Sequence, residues 1–196
     1  MADGKINLGG ATKMKIMFAS TNQHKLQEVK EILSGHEIFS IAPDIEEDGE
    51  NFEQNALKKA MAVMKKTGCV TIADDSGLEI KFLNGAPGLY SARFLENKSY
   101  HEKCLKILEM MENAKDRTAR FTTAIALVYP DSKNIIEVSH LNGFISDKIY
   151  GENGFGYDPI FYVPDYKMTL AQMNAQLKNK ISHRRKALDM IKSYLE

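Results

Sequence analysis

Residues 70–80 read VTIADDSGLEI. An apolar run climbs through Val70, Ile72 and Ala73 and then meets two adjacent acids, Asp74 and Asp75. A short apolar run of this kind predicts a buried strand, here over 69–74. Side chains alternate along a strand, so the two carboxylates point to opposite faces unless the strand ends between them. One can then face a ligand while the other caps backbone amides or pairs with a lysine. A carboxylate at the carboxyl end of a strand, opposite helix N-termini that gather phosphate, suits Mg²⁺. That ion takes one or two carboxylates and completes its shell with waters and substrate phosphates. An acid beside such a site can act as a general base on water. A pair of acids that merely caps a loop is the plain alternative.

Working outward, 15–19 is a β-like run, and a helix follows from Asn22 with Leu26, Val29 and Leu33 on one face. A strand over 37–42 stops at Pro43. A second helix is expected over about 52–66, with Leu57, Ala60, Met61 and Met64 as its stripe. Downstream, 83–94 (LNGAPGLYSARF) is rich in turn residues. A helix begins near Ser99, with Cys104, Leu105, Leu108 and Met111 facing inward. Two β runs, 120–129 and 135–145, are joined by PDSKN and read as an antiparallel hairpin. A glycine-rich loop over 151–156 precedes a short strand at 159–163. A last helix begins after Ser182 and carries Ala187, Leu188, Ile191 and Leu195. Helices alternating with strands, plus one hairpin, imply an α/β fold with a mixed sheet.

The chain has 196 residues, enough for one domain or two intimate lobes. Residues 1–13 lack the apolar stretch of a secretory signal and read as a flexible N-terminal extension or expression remnant, leaving 14–196 as the folding unit. Lys plus Arg and Asp plus Glu both total 26. This balance argues against a general nucleic-acid or membrane-surface binder, which needs a basic excess. The longest apolar run is far too short to span a bilayer. The two cysteines, Cys69 and Cys104, are far apart, which fits a reducing cytoplasm and a packing role.

Three further stretches carry chemistry. In FASTNQHK, 18–25, an apolar strand runs into Ser20, Thr21 and Asn22, and Lys25 falls in the first helical turn. Exposed N–H groups and the helix dipole there favour an anion; an ordinary N-cap beside a solvated lysine is the alternative. In ISHRRKAL, 181–188, His183, Arg184, Arg185 and Lys186 crowd a first turn that favours acids. In NGFGYDPIF, 153–161, Phe155 and Tyr157 sit among glycines next to Asp158. Such a loop can stack on a base and read its edge, or can be a glycine-rich turn with core aromatics. The five histidines show no paired metal-ligand spacing, so zinc is not expected.

Taken in order, STNQHK, FEQNALKKA, ADDSGL, NGAPGLYSARF, GFGYDPIF and SHRRKAL resemble the inosine triphosphate pyrophosphatase (HAM1/RdgB-like) family. The resemblance covers nearly the whole chain after the extension. It implies an elongated mixed β-sheet flanked by helices, with two lobes and a central cleft, assembled as a homodimer. It also implies Mg²⁺-dependent hydrolysis of ITP, dITP and XTP to the monophosphate and pyrophosphate. By position, Ser20, Thr21, Asn22, Gln23, His24 and Lys25 fall where the family grips the triphosphate. Asp75 falls on the proton acceptor and metal ligand, with Asp74 supporting it and Ser76 beside the substrate. Phe155, Gly156, Tyr157, Asp158, Lys178, His183 and Arg184 fall on the base pocket. One position departs from the family: Gln54 stands where a metal-binding glutamate is usual, which implies weaker Mg²⁺ binding and lower turnover. Two rivals are a Maf-type nucleotide pyrophosphatase and a nucleotide-binding protein whose catalysis Gln54 has weakened.

Overall fold

The computed structural model describes residues 13–195. The extension expected over 1–13 lies outside the described residues except for Lys13, which pairs with Glu37 at 3.1 Å. The first strand, Lys15–Ala19 (β1), is buried at four consecutive positions, as befits a strand covered on both faces. The helix Gln23–Ile32 (α1) follows, and Asn22 is its N-cap, accepting from the N–H groups of His24 and Lys25 at 3.0 and 3.2 Å. The strand Glu37–Ile41 (β2) then runs parallel to β1. The helix Phe52–Thr67 (α2) is capped by Asn51 and ends at Gly68, whose φ of 64° belongs to the left-handed region.

The strand Thr71–Ile80 (β3) also pairs in parallel with β1. The helix Tyr100–Met110 (α3) opens with a capping box between Ser99 and Glu102. The strands Thr118–Val128 (β4) and Asn134–Ile145 (β5) are neighbours joined by five residues, too few for a parallel crossover, so they form the expected hairpin. Phe161–Val163 (β6) and Met168–Thr169 (β7) add antiparallel strands. The helices Ala175–Ile181 (α4) and His183–Lys192 (α5) close the fold. The sheet has seven strands in the order β2-β1-β3-β4-β5-β6-β7, parallel near its start and antiparallel toward its end, the mixed α/β class expected.

By its contacts the chain falls into two compact units. The first holds the described residues up to Asp75, Thr123–Ser139 and the chain from Arg184 onward. Its core packs Ile16, Phe18 and Ile72 of the sheet against Leu26 and Val29 of α1 and Leu188 and Ile191 of α5. The second holds Ser76–Thr122 and His140–His183. Its core joins Leu78, Phe121 and Phe161 to Cys104 and Ile107 of α3.

Three local expectations need correction. β3 does not stop at Asp74 but runs on to Ile80, because both acids find cationic partners where they are buried and need no loop to carry them into water. The buried stripe of α2 is Phe52, Asn55, Ala56, Lys59, Ala60, Val63 and Met64, while Leu57 and Met61 are only half-buried. Asn55 and Lys59 turn inward to meet Asp75, and that polar demand sets the rotation of the helix. In α3 the buried ridge is Lys103, Cys104 and Ile107, with Met111 just beyond, and Leu105 is exposed. Leu105 lies about 100° around the helix from Cys104.

Candidate functional site

The first unit holds a crowded charge cluster built on Asp74 and Asp75. Alternation along β3 sends them in opposite directions. Asp74 shares the face of Ile72 and meets α1 and α5: its Oδ2 lies 2.9 Å from Lys25 Nζ and 3.2 Å from Arg184 Nε. Arg184 also donates to Glu28 Oε2 at 2.5 Å. Asp75 meets α2: its Oδ1 accepts from Lys59 Nζ at 3.0 Å and its Oδ2 from Asn55 Nδ2 at 3.2 Å. The Lys59 ammonium also touches Glu47 Oε1 at 2.9 Å. In this group four acids face three bases, which leaves an excess negative charge when all are ionised.

Burial acts on both aspartates, but the balance differs. Burial alone would raise Asp74; Lys25 and Arg184 outweigh it and hold the carboxyl well below the ordinary range. For Asp75 burial wins over Lys59, Glu47 repels as well, and the carboxyl is raised. Burial lowers Lys25 despite Asp74. Burial also opposes the charge of Lys59, yet Asp75, Asp74 and Glu47 together raise it. The two neighbouring carboxyls are thus shifted in opposite directions.

The remaining residues expected at the phosphate end line the turn into α1. Ser20 Oγ accepts from Asn22 N–H at 3.2 Å, and Gln23 Nε2 donates to the Thr21 carbonyl at 3.3 Å. Thr21, Asn22, Gln23 and His24 are exposed at the N-terminus of α1. Ser76 follows Asp75 in β3 and is half-buried. Gln54 is exposed, and its Oε1 accepts from Glu50 N–H at 3.0 Å; its neighbour Asn55 is the one that reaches Asp75. Among the described residues no three His, Cys, Asp or Glu side chains gather into a ready-made cation cluster.

The second unit holds an aromatic loop with a buried ion pair. Asp158 Oδ2 accepts from Lys178 Nζ at 2.6 Å and from Phe155 N–H at 2.8 Å. The same ammonium lies over the Phe155 ring, 4.2 Å from its centroid. Gly154, at φ 76°, leaves room for this carboxylate, since a Cβ there would collide with Asp158 Oδ2. Tyr157 is buried, receives Tyr100 edge-on at 5.4 Å and donates its hydroxyl to the Ser91 carbonyl at 2.7 Å. A cavity of about 500 Å³ opens beside Phe155 and Gly156, walled also by Tyr100, His101, Cys104 and Ile149.

The crowded first turn of α5 sorts by burial. His183 is buried and stacks on Phe121 at 4.9 Å with the rings 4° from parallel. Arg184 joins the Asp74 group rather than the Asp158–Lys178 pair. Arg185 pairs with Asp189 at the surface, and Lys186 is exposed. Sequence reading missed Asn55, Lys59, Glu47 and Glu28. The signal for the first two was a polar i, i+4 pair flanked by Ala56 and Ala60, a small-residue stripe that marks a buried face. Nothing in the polar loop singled out Glu47.

The comparisons with known proteins agree with one another. The Ham1 family model matches residues 16–194. A dITP/XTP pyrophosphatase of Staphylococcus aureus (strain MW2) is 43% identical over 188 residues, covering 93% of this chain and 96% of that protein. The solved structure of the Staphylococcus aureus Ham1 protein superposes with a TM-score of 0.84 at 43% identity, over 92% of this chain and 97% of that one. A HAM1 protein from Coxiella burnetii gives 0.85 at 42% identity, over 93% and 98%.

Proposed function

The chain belongs to the Ham1 family, and from that premise we propose that it hydrolyses ITP, dITP and XTP to the nucleoside monophosphate and pyrophosphate, clearing deaminated purines from the nucleotide pool. The observation that carries the reading is the opposed tuning of Asp74 and Asp75 among three cationic side chains. Asp75 accepts a proton from water, whose oxygen bonds to the α-phosphorus. The bond from that phosphorus to the bridging oxygen breaks, and pyrophosphate leaves with the electron pair. Lys25, at the first turn of α1, and Lys59 offset the charge of the departing phosphates. Asp74, kept ionised, holds Lys25 and Arg184 in place.

The donor set suits Mg²⁺. Asp75 and Glu47 already converge on one cation, the Lys59 ammonium, at 3.0 and 2.9 Å, and two carboxylates are what this ion takes from protein beside phosphate and water. Bound there, Mg²⁺ would neutralise phosphate charge and favour loss of pyrophosphate. Glu47 rather than Gln54 is the partner of Asp75 in this reading, so Gln54→Glu is expected to change turnover little. Phe155, Gly156, Tyr157, Asp158 and Lys178 handle the base, supported by a loop whose backbone amides and one lysine suit a 6-keto purine. Adenine presents the reverse donor pattern and leaves buried groups unpaired, a mismatch of about 10⁴-fold in a well-built site. The functional unit is taken as residues 14–196, working as a cytoplasmic homodimer; sedimentation at micromolar concentration checks the dimer.

Pyrophosphate release from ITP, XTP, dITP, GTP and ATP, with Mg²⁺ titrated, tests the reading. Release confined to the deaminated nucleotides is expected; equal rates on GTP and ITP would refute it.

A further inference from the structure

Backbone groups of alternate residues along a strand point to the same edge. In β3 the Val70 side of that alternation faces β1, since the Val70 carbonyl accepts from Met17 N–H at 2.8 Å. The recorded β1 register covers Thr71 and Ile72. Farther along, the loop after β3 takes up the same set of groups. The Ile80 carbonyl accepts from Gly85 N–H at 2.9 Å, Glu79 forms a bridge with Pro87, and Leu78 N–H donates to Ser91 Oγ at 2.9 Å. Ser91 Oγ in turn donates to the Gly88 carbonyl at 2.6 Å, and the Ser91 carbonyl receives the Tyr157 hydroxyl at 2.7 Å. Ser91 is itself buried, so each of these bonds forms away from water, where a broken one is costly.

We propose that Ser91 is a positioning residue for base selection, acting through Tyr157 and Leu78 to tie the loop of Phe155 and Asp158 to the Leu78 end of β3. This rests on the nucleotide reading above. Tyr157 is too buried to offer much ring face to a ligand, so its hydroxyl bond is the part of the residue that fixes the loop. Tyr100 packs its edge on the same ring, and the Gly156 carbonyl accepts from Cys104 Sγ at 3.7 Å, so the loop is held from the α3 side as well. The Ser91 link adds hydrogen bonds to β3, beside the apolar packing of Tyr157 in the cluster that holds Leu78 and Ile80.

The test measures equilibrium binding of ITP and GTP in EDTA, and kcat and KM with Mg²⁺, on the full chain, Tyr157→Phe, Ser91→Ala, Ser91→Thr and the Tyr157→Phe/Ser91→Ala double variant. Tyr157→Phe and Ser91→Ala are each expected to lower the ITP-over-GTP preference by about fivefold to tenfold, chiefly through KM. The double variant should do no worse than the worse single one, and Ser91→Thr, which keeps the hydroxyl, should restore the preference. If both single variants keep the wild-type preference and only melt earlier, Ser91 is scaffold and the inference fails alone. A wild-type chain that binds GTP as well as ITP would overturn both the nucleotide reading and this one.

Discussion

Two buried lysine–aspartate pairs, Lys25–Asp74 at 2.9 Å and Lys178–Asp158 at 2.6 Å, sit in contrasting surroundings. Asp74 has a second cation, Arg184, in contact, and Asp75 next to it in the chain. Asp158 meets the Lys178 ammonium and the Phe155 N–H, and an aromatic ring lies under that lysine. In the first case burial raises the Asp75 carboxyl, while at Asp74 two cations outweigh burial and lower it. In the second, the Lys178 ammonium, the Phe155 N–H and the Phe155 ring fix directions around one carboxylate. The first arrangement, with negative charge in excess, suits a cation that in turn holds a highly charged anion, and the second suits a flat molecule with a polar edge.

Removing an anchor from each region should separate them. Asp74→Ala removes the carboxylate that Lys25 and Arg184 share in the buried cluster, and is expected to cost about 3–5 kcal/mol in urea unfolding. Lys178→Met removes the ion pair of Asp158 but keeps its bond from the Phe155 N–H and is expected to cost less, about 2 kcal/mol, while weakening ITP binding more than it weakens the fold. Equal losses from the two changes would erase the distinction.

The opposed carboxyl shifts give opposite pH dependences. Asp74 is lowered in the folded chain, so its contribution is present above the unfolded value and is lost as pH falls through the folded one. Asp75 is raised, so its ionisation takes stability away as pH rises from the unfolded value through the folded one. Asp75→Asn is therefore expected to melt no lower than the wild type at neutral pH, with any gain vanishing below about pH 4. A variant that loses stability at neutral pH and recovers in acid would reverse the sign given to Asp75. The smallest effect is expected at Arg185→Ala, next in sequence to Arg184. Its exposed pair with Asp189 should be worth about 0.3–0.5 kcal/mol, against the buried bonds of Arg184.

Much of the fold was legible because its signals are local. Asn22, Asn51 and Ser99 cap helices where polar residues precede an apolar period, and PDSKN turns the hairpin. The misreadings share one physical origin. The sequence pattern ends a strand at Asp74 and turns α2 onto Leu57 and Met61, because a buried charge looks like a boundary until its partner is known. Those partners, Lys25, Lys59 and Arg184, lie 49, 16 and 110 residues away in sequence from the acids they serve. The STNQHK and GFGYDPIF stretches stand out in sequence; the association of Arg184 with Asp74, and of Glu47 with Asp75 through Lys59, does not. Cys104 was read as a packing residue, and its burial, which pushes the thiol up to about 12, accords with that.

The most direct test compares pyrophosphate release from ITP, under saturating Mg²⁺, by the wild-type chain and Asp75→Asn, with ITP binding measured on both. Asp75 as proton acceptor requires the variant to lose about 10²–10⁴-fold in kcat while it still folds and binds ITP. A variant that releases pyrophosphate at the wild-type rate would contradict the role given to Asp75 and the tuning on which it rests.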